Sequence, residues 1–262
     1  MALLTAQQTR HTIAFLRQFP ESFPGLQLSW VGAHYCGWDG VHCHVNGSVS
    51  IDLRGHDLDG AMPYIRTHII NGAHVMVVSI DLSNNTRLRD SLEPSWGSLV
   101  HLRHLDLSYT RLSGSIPSVW NKMRSLRSVR IAHTLACRDL PQWSIDTLES
   151  VDVSHNNLRG TLAESWSSMR SLRHVDLSGN NFCGCVPDSW ATHSALLRAA
   201  DNLSVLARDT NACRDANMCS SRRHECTVDE SSDAGVAPQG VLASVGPATL
   251  LFAALALMCD RG

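Results

Sequence analysis

The chain has 262 residues, 44% apolar and 18% charged, proportions that exclude wholesale disorder. Its net charge of −2 gives no field to draw nucleic acid or an acidic membrane, so no nucleic-acid partner is expected. Nine cysteines are too many for an ordinary cytosolic chain and point to disulfides and an oxidising compartment.

Taken in chain order, the opening stretch MALLTAQQTRHTIAFLRQF contains no uninterrupted apolar run, because Arg10, His11 and Arg17 break it. No secretory signal is read there, and a start upstream of Met1 is the simplest reconciliation with the rest of the sequence. Thr12–Phe19 predicts a short amphipathic helix with Ile13, Leu16 and Phe19 on one side. Cys36 and Cys43 follow, flanking Trp38 and Gly40.

From Val49 a repeat governs the sequence. Trp96, Trp120, Trp143, Trp166 and Trp190 recur at spacings of 24, 23, 23 and 24 residues. A charged residue between two aliphatics runs in phase with them: Asp52, Asp81, Asp106, Arg130, Asp152 and Asp176. The units LRHLDLSYTRLSGSIPSVWNKMRSL and LESVDVSHNNLRGTLAESWSSMRSL fit L-x-x-L-x-L-x-x-N-x-L-x-G-x-I-P, the leucine-rich-repeat pattern. The Asn position holds Asn85, Asn156 and Asn180, with His56, Thr110 and Thr134 replacing it elsewhere; Arg130, Thr134 and Ala136 weaken the fourth unit. One repeat cannot bury its own core, but a stack of six can. The expected fold is an α/β repeat solenoid. Six leucine-rich repeats over residues 49–190 form a parallel concave sheet, with a cap over residues 9–48 and a cysteine cap over 183–226.

Side chains between the inward aliphatics face the concave side. His104, Asp106, Arg130, Asp152, His174 and Asp176 are therefore the candidate ligand-binding residues. A solvated row held by backbone donors and Arg130 is the plainer reading of the Asp residues. A Ca²⁺ site needs oxygens converging on one point, and a row along a sheet does not supply that. His101-x-x-His104 and the His104/His174 pair lack a third ligand placed by spacing, and the cysteine pairs lie in cap contexts, so no metal is assigned. No P-loop, HExxH, nucleophile elbow or dinucleotide fingerprint is present, so neither an enzyme nor a cofactor is expected.

Three glycosylation acceptors stand at Asn46, Asn84 and Asn202. Residues 227–240 read as a short polar linker. Residues 241–258 are uncharged and mostly apolar. Small residues at 231–235, a short spacer and that tail match a glycolipid-anchor signal with Ser232 as the attached residue. A spanning helix is the rival reading of the tail.

The phrases CGWDGVHC, LSGSIPSVWNKMRSL, SVDVSHNNLRGTL and NNFCGCVPDSW resemble the promastigote surface antigens of Leishmania and related trypanosomatids. The C-x-W-x-G-V-x-C run also resembles the N-terminal cap of plant-type leucine-rich repeats. The resemblance implies a Cys36–Cys43 bridge and a C-terminal cap in which Cys183 and Cys185 pair with Cys213 and Cys219, in an order left open. It further implies a glycosylated, lipid-anchored protein at the plasma membrane that contacts other proteins, host cell-surface or serum proteins among them. The Thr/Pro-rich stalk often found in that family is absent here. A passive coat or decoy antigen, or a remnant that is not displayed, is the alternative. Cys137 and Cys226 have no assigned partner, and the oligomeric state is open.

Overall fold

The computed structural model describes residues 4–203 and Cys219. These lie in the first of two units, Met1–Val228 and Asp229–Gly262. Cys213, Cys226, Ser232, the linker 227–240 and the tail 241–258 lie outside the described residues.

The N-terminal cap begins earlier than the apolar pattern predicts. Helix α1 (Ala6–Leu16) starts at a capping box, in which the Thr5 hydroxyl accepts from the Gln8 amide and Gln8 reaches back to the Thr5 backbone. A short α2 (Gln18–Ser22) follows. The buried face is Thr12, Phe15, Leu16 and Phe19, while Ile13 is only half-buried. Thr12 lies inward because its hydroxyl accepts the Met76 amide at 2.9 Å, tying the cap to the first full repeats.

The strands, in chain order, are β1 (Val41–Cys43), β2 (Val49–Asp52), β3 (Val77–Asp81), β4 (Arg89–Ser91), β5 (His104–Asp106), β6 (Arg111–Gly114), β7 (Ser128–Arg130), β8 (Leu135–Arg138), β9 (Ser150–Asp152), β10 (Asn157–Gly160), β11 (His174–Asp176) and β12 (Asn181–Phe182). The concave sheet runs β1-β2-β3-β5-β7-β9-β11. Its six repeat strands pair in parallel. At the N-terminal end β1 pairs antiparallel with β2, so the cap supplies a seventh strand and covers the edge.

A second parallel sheet, β12-β10-β8-β6-β4, was not expected from the sequence. Each of its strands follows the Asn position and reaches a left-handed residue: Asp90, Gly114, Arg138, Gly160 and Gly184. The return arms are 3-10 turns rather than α-helices, at Pro94–Ser98, Ser118–Lys122, Glu164–Ser168 and Asp188–Thr192. Helix α3 (Ser194–Asp201) closes the described part of the stack.

Two ladders hold the repeats together. The five repeat Trp residues are at most 1% exposed. Their indole N–H groups donate to carbonyls one repeat back: Trp96 to Pro63, Trp120 to Glu93, Trp143 to Pro117, Trp166 to Pro141 and Trp190 to Ala163, at 2.7–3.2 Å. The Asn ladder does more than close its own turn. The Asn85 amide donates to Leu82 and, in the previous repeat, Leu53, while its oxygen accepts the Leu58 amide. Asn180 does the same with Leu177, Val153 and Leu158.

Cys36–Cys43 is bridged, with Cα atoms 5.4 Å apart. Cys183 pairs with Cys219, which fixes one half of the order left open by the sequence. Cys185 and Cys137 are also disulfide-bonded, so Cys137 is not a spare thiol.

Candidate functional site

The register of the concave sheet places the candidate residues in two rows. Asp52, Asp81, Asp106, Arg130, Asp152 and Asp176 are successive partners across the strands. Two residues earlier, Ser79, His104, Ser128, Ser150 and His174 form a second row. His104 and His174 therefore stand three strands apart, about 14 Å at ~4.8 Å per strand, and do not form a pair. Among the described residues no group of three or more His, Cys, Asp or Glu side chains is placed to hold a metal ion.

The Asp row is built into the scaffold. In each case one carboxylate oxygen accepts the backbone amide two residues on: Arg54 to Asp52, Ser83 to Asp81, Ser108 to Asp106, Ser154 to Asp152 and Ser178 to Asp176, at 2.9–3.3 Å. The Ser83, Ser154 and Ser178 hydroxyls donate to the same carboxylates at 2.6–2.7 Å. The row is thus a series of Asp turns that end the strands, with Ser two residues on in four of the five. The fourth repeat lacks both partners, having Arg130 and Ala132 instead, and the Ser108 hydroxyl of the previous repeat takes the Ala132 amide. Arg130 approaches Asp106 at 3.8 Å and is mostly exposed.

Four of the six candidates converge on one feature. A cleft of about 660 Å³ at the C-terminal end of the concave face is lined by Arg130, Asp152, His174 and Asp176 together with Arg173, Arg198 and Asn202. Strands β7, β9 and β11 supply its floor, and α3 supplies Arg198, whose guanidinium donates to the Arg173 carbonyl at 3.2 Å. Three guanidinium groups and an imidazole face two carboxylates there. Each carboxylate binds its Ser turn through Oδ1 alone and keeps its charge, so three guanidinium groups against two carboxylates leave the lining with a small positive excess. His104 and Asp106 lie outside the cleft. Partial burial, followed by Arg127 and then Arg103 nearby, lowers the pKa of His104 below its ordinary value against an opposing effect from Glu149.

Sequence reasoning missed Arg173, Arg198 and Asn202 as cleft residues, since only the C-terminal helix brings them to the sheet. It also missed an exposed stack of rings, Tyr109 on His133 at 4.5 Å and His133 on His155 at 4.3 Å. The signal for it was present. These three residues precede the Asn position, where other repeats carry Gly55, Asn84 and Gly179. The acceptor Asn46 is exposed with its side-chain oxygen bound by the Ser48 amide and hydroxyl. Asn84 and Asn202 are also exposed, the latter at the cleft rim.

The Leucine Rich Repeat family matches residues 101–123, 147–169 and 171–192. The surface membrane glycoprotein GP46/M-2 of Leishmania amazonensis is 32% identical over 109 residues, covering 41% of this chain and 22% of that protein. Among solved structures, the Arabidopsis receptor kinase HAESA, in complex with the peptide hormone IDA and the co-receptor SERK1, superposes with a TM-score of 0.58 and 27% identity. That match covers 78% of this chain and 33% of the other. The Arabidopsis BIR2 ectodomain gives 0.53 and 27%, over 68% of this chain and 94% of its own. The chain spans about a fifth of the length of the curated relatives it matches. The chain folds as a leucine-rich-repeat solenoid, and part of it is similar to a surface membrane glycoprotein of Leishmania.

Proposed function

We propose that this chain is a non-enzymatic cell-surface module that binds proteins through the C-terminal half of its concave face, host cell-surface or serum proteins being the partners. The observation that carries the reading is the cleft: Arg130, Arg173, Arg198 and His174 line it over the sheet, three guanidinium groups against two carboxylates. A preorganised positive surface of this kind suits an acidic stretch of a partner, because guanidinium groups pair carboxylates in a fixed geometry. Likeness to a surface glycoprotein and to a receptor ectodomain solved with a peptide and a co-receptor supports a binding role. Attachment to the membrane through Ser232 and the tail 241–258 is part of the same reading.

The test is binding of the purified chain to host cells and serum proteins, with Arg130→Ser, Arg173→Ser and Arg198→Ser combined. The exposed side chains make a folded variant expected, and loss of at least tenfold in affinity supports the cleft. Unchanged attachment favours the second reading, a passive coat protein. One observation favours that alternative: the Asp row, the most regular feature of the concave face, bonds to its own backbone.

A further inference from the structure

Gly55, Asn84, Tyr109, His133, His155 and Gly179 precede the Asn position of successive repeats and share a left-handed backbone, with φ between 53° and 65°. Main-chain bonds hold them side by side: Asn84 to the Ser108 carbonyl, Tyr109 to Ala132, His133 to Ser154 and His155 to Ser178, at 2.8–3.0 Å. A left-handed conformation disfavours a bulky Tyr relative to Gly, Asn or His, so an aromatic ring at this place in one exposed row calls for a reason.

The row has one closed end and one open end. His133 carries a ring on each face. His155 lies over Gly179, where an added Cβ would come within 2.7 Å of the imidazole Nδ1. Tyr109, at the other end, is 50% exposed. His133 covers one face of its ring, and the next position in the row on the other side is Asn84. Asn84 is itself a glycosylation acceptor, Asn84-Asn85-Thr86.

We propose that Asn84 carries an N-linked glycan whose first N-acetylglucosamine packs on the open face of Tyr109, continuing the ring stack by one member. The proposal rests on entry into the secretory pathway, which the surface reading requires. Attachment joins Nδ2 of Asn84 to C1 of a sugar carried on a lipid diphosphate. The C1–O bond of the donor breaks, the lipid diphosphate leaves with the electron pair, and one amide proton passes to the transferase. The axial C–H groups of the pyranose are weakly positive and suit the negative face of the phenol ring. The geometry fits as well. Neighbouring strands are ~4.8 Å apart, and the existing rings stack at 4.3–4.5 Å. Asn46 has no such platform in the row. The glycan would cover the edge of the second and third repeats and leave the cleft, which starts at Arg130, open.

The test is to secrete the full chain behind a supplied signal sequence from eukaryotic cells and map glycopeptides by mass. Asn84 is expected to be occupied. Nuclear magnetic resonance of the labelled glycan is expected to show the first sugar's protons shifted upfield by the ring. Tyr109→Asn, which suits the left-handed backbone, should abolish that shift with the glycan still attached. Thr86→Ala removes the glycan and should lower the Tm. In the Tyr109→Asn background the same change should leave the Tm unmoved. An empty Asn84 in the secreted, folded chain overturns the proposal, as does a first sugar whose signals Tyr109→Asn leaves in place. Neither result touches the cleft reading, which is tested on glycan-free protein.

Discussion

At the scale of the residue, the Asp row separates a scaffold role from a binding role. Asp152 accepts two bonds from Ser154, one from the amide and one from the hydroxyl. Asp152→Ala leaves both donors without that acceptor and is expected to cost about 1–2 kcal/mol. Asp152→Asn keeps an acceptor oxygen in the same place and should cost less than half as much. Urea unfolding of the two variants checks this, and equal losses would assign the effect to charge rather than to the turn. His104 gives a second, pH-dependent expectation. Its folded pKa lies below the unfolded value of 6.5, chiefly through partial burial and then through Arg127 and Arg103. The unfolded chain therefore binds the proton first as the pH falls. The stability present above pH 6.5 is lost between there and the lower folded pKa. Thermal unfolding between pH 7.5 and about 5 should fall less steeply for His104→Gln than for the parent. A steeper fall would reverse the sign of the shift.

At the scale of the element, the ladders decide which positions matter most. Asn156 is 6% exposed. It donates to Ile131, Val153 and Ser154 and accepts from Thr134 and Ala136. It thereby completes the fourth repeat, where Thr134 stands in the Asn position and cannot reach back alone. Asn156→Ala leaves several buried backbone groups unpaired and is expected to cost about 3 kcal/mol. Asn180→Ala, at a half-buried site near the end of the stack, should cost about 1 kcal/mol. Equal losses on chemical unfolding would contradict this account. The repeat itself was legible because Leu, Asp and Trp recur in phase over many turns, and the register of the Asp row follows from that phase alone. The second sheet was not legible, since strands of two to four residues carry no alternation to read. The start of α1 was hidden for a different reason: Thr5 and Gln8 set it by side-chain capping, ahead of the first apolar residues. The cleft escaped because Arg173 and Arg198 meet through packing between β11 and α3, which no spacing in the sequence encodes.

At the scale of the whole molecule, the proposed surface role requires a means of attachment. Among the described residues no helix is long and apolar enough to cross a membrane. On the proposed reading, attachment is assigned to residues 241–258. A lipid-anchor signal requires small residues at the attachment point, then a spacer of ~8–12 residues and an apolar stretch of ~10–20. Ser231, Ser232, Asp233, Ala234 and Gly235 supply the small residues, Val236–Gly240 a short spacer, and Val241–Met258 the apolar stretch. A spanning helix fits less well. Gly246 and Pro247 would disturb it. Cells displaying the chain behind a supplied signal sequence should release it on treatment with a phosphatidylinositol-specific phospholipase. Ser232→Leu together with bulky residues at 233 and 234 should prevent that release. The mature protein should also lack Cys259–Gly262, because anchoring removes the tail. A chain that stays on the cells after the enzyme treatment, and still binds an antibody to Cys259–Gly262, would place a helix in the membrane instead.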